Sequence, residues 1–266
     1  MRLALLSTLA LFITTATSTA DAANWPNWRG PTQNGVSTDK GIPAEFGPGK
    51  NVAWKVKLPG PGGASPVVWD DQVYVTSVEE QKLLLQAWST AGKLKWQQQV
   101  GTGYKVVRRD EGNSASPSPV TDGKHVWAMM ANGEIACYTV AGKLAWKRDL
   151  RPAYGPFKIA FGLTASLILE DGKIILQLIH GSRKAKPEED QGLLVALDAA
   201  SGKQVWKQVR KSDAYDENKH SYTSPSVSYT HLRAHETLRW ADYTIAYDPA
   251  DGSEIWRKGG LNPQHD

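Results

Sequence analysis

Apolar and polar residues alternate along this chain in short runs, and a turn-forming pair closes almost every run. The second of four such units shows the plan most clearly. Ser118-Pro119-Val120 leads to a turn at Asp122-Gly123, and then come His125 to Ala131, the pair Asn132-Gly133, Glu134 to Tyr138, and Leu144 to Leu150. Asp-Gly and Asn-Gly between β-prone runs predict hairpins in which both turn residues take positive φ. The first unit runs through Pro66-Val67-Val68, Asp70-Asp71, Val73 to Val75, Leu83 to Trp88 and Leu94 to Val100. The third runs through Leu163 to Leu169, Asp171-Gly172, Ile174 to Ile179, Leu193 to Leu197 and Val205 to Val209. Four antiparallel strands per unit, repeated in series, predict the blades of an all-β propeller.

A second periodicity overlies the first. Gly92, Gly142, Gly202 and Gly252 are each followed four positions later by Trp96, Trp146, Trp206 and Trp256, and successive tryptophans are 50, 60 and 50 residues apart. Self-similarity at this period marks a propeller, solenoid or array. A residue that recurs in every unit explains the folding of each and singles out none as an active site. Alanine recurs ahead of each last turn, at Ala87, Ala136, Ala196 and Ala246, where a small side chain would let neighbouring sheets approach and leave the next gap for tryptophan. Asp198 and Asp248 lie four positions before their glycines, placed to accept backbone N–H bonds in the turn. Tyr138 stands there in unit two, and unit one has a loop one residue shorter, with Ser89.

The run Ala196-Leu197-Asp198-Ala199-Ala200-Ser201-Gly202-Lys203-Gln204-Val205-Trp206 fits Ala-x-Asp-x-x-x-Gly-x-x-x-Trp, and so does Ala246 through Trp256. This resembles the PQQ-like propeller repeats, named after pyrroloquinoline quinone. The opening Trp25-Pro26-Asn27-Trp28-Arg29-Gly30-Pro31 resembles the start of secreted members of that family. The resemblance implies an eight-bladed ring, of which about four blades are present here if Trp54 belongs to an incoming closing strand. The chain is therefore expected to be the N-terminal part of a longer protein, since an incomplete ring would expose two long sheet edges. The family it resembles includes both quinone-dependent dehydrogenases and the BamB outer-membrane assembly factor.

Three regions are expected: a signal peptide at 1–23, an N-terminal extension at 24–50, and a partial propeller at 51–266. Arg2, the apolar run Leu3 to Ile13 and Ala20-Asp21-Ala22 fit a secretory signal with an Ala-x-Ala cleavage site, which predicts a periplasmic or secreted protein. The apolar run is well short of the roughly 20 residues that cross a bilayer, so no membrane span is expected. The one cysteine, Cys137, is far from the cleavage site, so no lipid anchor is expected either, and no intrachain disulfide can form. Cys137 aligns with Leu197 and Tyr247 and reads as a buried thiol. A composition of 41% hydrophobic and 22% charged residues provides for a globular core, and the net charge of +4 is mild. Lys105, Arg108 and Arg109 are followed by Asp110-Glu111, and Arg183, Lys184 and Lys186 by Glu188-Glu189-Asp190. The acids cancel the long-range field that phosphate binding needs, which argues against nucleic acid. The second cluster lies in an insertion that accounts for the 60-residue spacing, and such loops commonly carry binding specificity.

Residues 227–237, Val-Ser-Tyr-Thr-His-Leu-Arg-Ala-His-Glu-Thr, read as the in-frame translation of a transposase-type sequencing adapter. They are treated as foreign to the repeat. Pro225 to Ala246 spans 21 positions, as does Pro66 to Ala87, so the blade length survives the replacement. His231, Arg233, His235 and Glu236 fall where other units carry strand residues such as Val73, Val126 and Ile174, which predicts an irregular exposed connection and a fourth blade with fewer strands. The His231, His235, Glu236 order is also not the His-Glu-x-x-His zinc motif. His125 is expected in a strand, His180 and His220 beside loops, and His265 at the terminus. No metal spacing remains.

Two functional classes are open at this stage. One is a non-catalytic envelope protein that binds another protein or a polymer. The other is part of a periplasmic quinone-dependent dehydrogenase, whose implied cofactors are pyrroloquinoline quinone and Ca²⁺. That chemistry needs an aromatic stacking face, an oxygen cage for the cation and a carboxylate base converging on the ring axis. Asp110, Glu111 and Asn113 read as loop turn residues, and no catalytic, cofactor-binding or metal residue is assigned.

Overall fold

A computed structural model describes residues 23–104, 112–155, 157, 163–178, 192–210, 223–228, 231–235 and 243–259. The expected signal segment up to residue 22 and both basic clusters lie outside the described residues. The first blade comprises β1 (Val67–Trp69), β2 (Gln72–Glu79), β3 (Lys82–Ser89) and β4 (Leu94–Thr102). The second comprises β5 (Val120–Thr121), β6 (His125–Met129), β7 (Glu134–Thr139) and β8 (Leu144–Asp149), followed by a single helical turn, α1 (Arg151–Tyr154). The third comprises β9 (Ile168–Glu170), β10 (Lys173–Leu178), β11 (Gly192–Asp198) and β12 (Gln204–Arg210), and the fourth β13 (Pro225–Ser228), β14 (His231–His235), β15 (Thr244–Tyr247) and β16 (Glu254–Lys258). Each blade is a four-stranded antiparallel sheet in sequence order. The first strands β1, β5, β9 and β13 touch in succession, which places them innermost.

Turn chemistry sets each hairpin, with one departure from expectation. Asp171 and Gly172 both take positive φ (45° and 69°), as a two-residue primed turn requires. At Asp122-Gly123 and Asn132-Gly133 only the glycines do so (82° and 94°). There the first residue uses its side chain instead. The Asp122 carboxylate accepts the N–H groups of Lys124 (2.8 Å) and His125 (2.6 Å), and the Asn132 Oδ1 accepts that of Glu134 (3.0 Å). The first strand of blade three is also shorter than its apolar run, because residues 163–167 precede the ladder as an extended approach.

Period-two alternation buries both faces of the middle strands. Tyr74, Leu83, Leu85 and Ala87 of blade one pack on Val126, Ala128, Met130 and Tyr138 of blade two. Val120, Trp127, Ile135 and Cys137 of blade two pack in turn on Ile174, Leu176, Val195 and Leu197 of blade three. Ile168, Ile175, Ala196 and Trp206 then meet Ile245 and Tyr247 of blade four. Each fully buried aliphatic side chain contributes about 1.5–3 kcal/mol, so stability accumulates blade by blade between neighbours.

The repeated tryptophans connect those neighbours. A Cβ added at Gly142 would lie 2.8 Å from the Trp96 ring, one at Gly202 2.7 Å from Trp146, and one at Gly252 2.5 Å from Trp206. The same tryptophans donate their indole N–H to the turn carbonyls of the following blade: Trp96 to Val140 (2.9 Å), Trp146 to Ala199 (2.9 Å) and Trp206 to Pro249 (3.0 Å). Glycine is needed at these turns twice over, since Gly142, Gly202 and Gly252 also hold φ of 82°, 69° and 78°. In the longer turns Asp198 accepts from the Ser201 N–H (2.8 Å) and Asp248 from the Ala250 N–H (2.7 Å).

The register corrects one repeat position. Trp96, Trp206 and Trp256 stand opposite Ala87, Ala196 and Ala246, whereas Trp146 stands opposite Cys137, and Ala136 pairs with Lys147. The turn in unit two is as short as that in unit one, which moves the alignment by one residue and puts the small thiol in the alanine position. The Thr139 hydroxyl oxygen accepts the Lys143 N–H (3.2 Å), as Ser89 does for Lys93 (3.1 Å).

The segment 227–237 also departs from expectation. Its backbone forms the end of β13 and all of β14, with Ser226 opposite Arg233 and Arg233 opposite Ala246, and blade four has the full four strands. Ladder formation draws on backbone N–H and C=O groups, which a proline-free run of the right length supplies whatever its side chains. Side-chain identity is where the conflict lies. Arg233 holds the register position of Tyr74, Trp127 and Ile175, all in cores between blades or beside the next one.

Three outcomes are expected in urea unfolding. Gly142→Ala will destabilise the protein by about 1–3 kcal/mol through backbone strain alone, with further loss as Trp96 is displaced. Trp96→Phe, which removes only the N–H bond and part of the ring, will cost about 1 kcal/mol for that bond. Arg233→Ile will raise the midpoint by restoring an apolar residue at the inter-blade position, and an unchanged midpoint would count against the foreign-segment reading.

Candidate functional site

The inner strands converge on an axis that is built from two structures at its opposite ends. At the end carrying the first turns, the N-terminal segment crosses from blade to blade. Trp25 and Val68 exchange backbone hydrogen bonds (2.8 and 2.9 Å), the Asn24 side chain accepts the Asp70 N–H (2.7 Å), and Thr121 N–H donates to Pro26 O (3.0 Å). Ser226 then donates its hydroxyl to Gln33 O (3.4 Å). The segment holds its own shape: Asn27, buried, donates to Gly30 O (2.7 Å) and accepts from the Arg29 N–H (2.9 Å), and the Trp25 ring sits where a Gly30 side chain would go. Residues 24–33 thus tie blades one, two and four together from within.

At the other end, where the inner strands begin, four serines form a ladder. Ser65 N–H donates to Ser118 Oγ (2.9 Å), Ser118 N–H to Ser166 Oγ (3.1 Å), and Ser166 N–H to Ser224 Oγ (2.7 Å). Ser118 and Ser166 are buried. The sequence carried a signal for this, Ser-Pro at 65–66, 118–119 and 224–225, but Ser-Pro reads equally as a turn and unit three has Leu167 in the proline position. Proline suits the first residue of a strand because it donates nothing to the ladder, and it holds the preceding serine extended.

Glu134 clasps the top of blade one to blade two. Its carboxylate accepts from Thr102 N–H (2.9 Å) and from the Asn132 amide (2.8 Å), and pairs with Lys147 (3.2 Å), while Asn132 also donates to Thr102 O (3.0 Å). Burial opposes ionisation, yet the Thr102, Asn132 and Lys147 contacts outweigh it and hold the carboxyl below its ordinary value. Gly101 leaves room for this carboxylate, since a Cβ there would lie 2.3 Å from Glu134 Oε2 and would push the side chain off its partners. Cys137 is buried, and burial, with the Asp122 charge, pushes its thiol up to about 12, which makes it unreactive near neutrality.

Trp96, Trp146, Trp206 and Trp256 lie on the last strands, remote in topology from the inner strands. Trp96, Trp146 and Trp206, with Gly142, Gly202 and Gly252, build the interfaces between successive blades, and Gly92 receives Trp54 in the same way. Asn113 caps its own loop, accepting the Ala115 N–H (2.8 Å), and Asp110 and Glu111 lie outside the described residues, as do His180, His220 and His265. Among the described residues no three His, Cys, Asp or Glu side chains converge as metal ligands, and the axial hydroxyls accept backbone hydrogen bonds. No helix among the described residues is long and apolar enough to cross a membrane.

Comparison with known proteins agrees with this architecture. The family described as outer membrane protein assembly factor BamB, defined by PQQ-type repeats, matches residues 47–258. A polyvinylalcohol dehydrogenase of Pseudomonas sp is 27% identical over 195 residues, covering 69% of this chain and 28% of that protein. Among solved structures, quinohemoprotein alcohol dehydrogenase from Comamonas testosteroni aligns over 76% of this chain and 36% of its own, at 16% identity and a TM-score of 0.52. A europium-containing methanol dehydrogenase aligns over 73% and 41%, at 13% identity and a TM-score of 0.51. These structural likenesses establish the propeller fold alone. The chain spans well under half the length of each.

Because the Glu134 carboxyl is held below its ordinary value, its contacts stabilise the fold above that value and are lost as pH falls through the folded-state pKa. The urea midpoint of the wild type is expected to drop from about pH 5 downward. Glu134→Gln should start lower at neutral pH and show a shallower acid decline; parallel curves would remove Glu134 as a cause.

Proposed function

The chain belongs to the PQQ-like repeat family described as outer membrane protein assembly factor BamB, and on that premise we propose that it is a non-catalytic binding or assembly module of the bacterial envelope. The axis carries this reading. There serine hydroxyls accept backbone N–H groups of the neighbouring blade, and residues 24–33 bond to blades one, two and four, both of them structural uses of polar groups. Blade faces and loops are then left to engage the partner, a protein or an extended polymer. The segment Met1 to Ala23 supports export to the periplasm or beyond.

A second reading, part of a periplasmic quinone-dependent dehydrogenase, draws on the 27% identity to the polyvinylalcohol dehydrogenase. Under it, pyrroloquinoline quinone would carry the redox step and Ca²⁺ would be held by residues outside those described.

The two readings separate on incubation of the protein with pyrroloquinoline quinone and Ca²⁺ followed by gel filtration. The binding-module reading expects no quinone absorbance to co-elute and no dye-linked alcohol oxidation. Stoichiometric retention of the quinone would overturn it in favour of the dehydrogenase.

A further inference from the structure

The Ala23 backbone N–H donates to Asp39 Oδ1 at 3.1 Å. The chain between these two residues turns back to bring them together. Gly30, Gln33 and Gly35 take φ of 77°, 56° and 79°, the Arg29 carbonyl accepts the Gly35 N–H (2.9 Å), and the Arg29 guanidinium donates to Asn34 O (3.5 Å). Asn34 Oδ1 then accepts the Val36 N–H (2.8 Å) and Ser37 Oγ accepts that of Asp39 (3.0 Å), which returns the half-buried Asp39 to the start of the tether. Among the described residues no lysine or arginine pairs with the Asp39 carboxylate. Its bond to Ala23 closes a loop that contains all of residues 24–33.

The sequence places a cut at the same residue. Ala20-Asp21-Ala22 satisfies the Ala-x-Ala rule with the cut after Ala22, one residue inside the expected signal region 1–23. Hydrolysis by a leader peptidase breaks the Ala22–Ala23 peptide bond; the oxygen of water goes to an Ala22 carboxylate and its two protons to the Ala23 nitrogen. The product is an α-ammonium, the form that α-amino groups largely hold at neutral pH. On the premise of export given above, we propose that Asp39 is the receptor for this new ammonium, so that removal of the leader turns a hydrogen bond from a neutral amide into an ion pair and pins the fresh end of the chain. A terminus frays unless it is tied down. The next two residues are the ones that reach blade one, since Asn24 accepts the Asp70 N–H (2.7 Å) and Trp25 exchanges hydrogen bonds with Val68. Bonds between charged groups are stronger than neutral ones, but Ala23 is exposed, so the gain is a few-fold rather than orders of magnitude. Asp39 thus acts as a positioning residue for the tether, at full strength only in the processed protein.

The protein is produced with its leader in a bacterial host and recovered from the periplasm, where its intact mass is expected to show Ala23 as the first residue. The α-amine is then acylated at neutral pH with a limiting active ester, and the rate is followed on the tryptic peptide 23–29. Acylation of the wild type should be about threefold slower than that of Asp39→Asn, with lysine rates unchanged. Amide hydrogen exchange gives an independent reading: Nα-acetylation should speed exchange at Trp25 about threefold in the wild type and leave it unchanged in Asp39→Asn. An exported chain that is uncut, or that begins at another residue, would overturn the cut after Ala22 and the pairing with it. A chain that begins at Ala23 but acylates equally fast in both forms, or exchanges at Trp25 equally with and without the acetyl group, would overturn the pairing alone and leave the export reading standing.

Discussion

The interaction on which this protein depends is an indole ring laid over a glycine of the next blade, with its N–H held by a carbonyl of the same turn. It asks three things of the sequence at once. The glycine supplies a positive φ and the absence of a side chain, the tryptophan supplies area and a polar edge, and a small residue opposite the tryptophan gives the ring room. No one of these is strong alone, since a hydrogen bond contributes about 0.5–1.5 kcal/mol net. Together they fix the rotation of one sheet on the next. Packing of the apolar faces provides most of the energy, but it is nearly blind to angle. The indole contact makes the blades fan around an axis rather than stack.

That constraint explains what the sequence revealed and what it hid. The glycine-to-tryptophan spacing is legible because it is a covalent distance within one strand and its turn. Ala136 looked equivalent to Ala196 because both lie six residues before a glycine, yet the ladder passes through a bulge beside each tryptophan and the shorter turn of unit two moves the register to Cys137. Spacing along the chain cannot show which residue stands opposite which. The serine ladder was hidden for a related reason. Ser65, Ser118, Ser166 and Ser224 are about fifty residues apart and touch only across blades, and serine before proline carries the same local information in a turn as at a strand start.

The adapter-like stretch separates two levels of specification that usually coincide. Its length and lack of proline satisfy the backbone, so β13 and β14 form with continuous registers. Its side chains belong to no blade pattern, and Arg233 falls where the other three blades place Tyr74, Trp127 and Ile175. A fold defined by repeated neighbours tolerates one inconsistent unit, because each interface is shared by two blades only. Natural sequences usually agree at both levels, and here the backbone ladder forms although the residue types depart from the repeat.

The N-terminal tether has a consequence for the order in which the molecule is assembled. The tryptophan contacts join residues 43 to 53 positions apart, so each forms as soon as the next turn exists and can be added while synthesis proceeds. The bond between Gln33 and Ser226 spans 193 positions and closes a loop around everything between them. Loop closure grows more costly with length, and contacts of such separation are made late. The residues that leave the ribosome among the first are thus among the last to reach their native place, and until blade four arrives the centre of the molecule stays open to whatever holds the young chain.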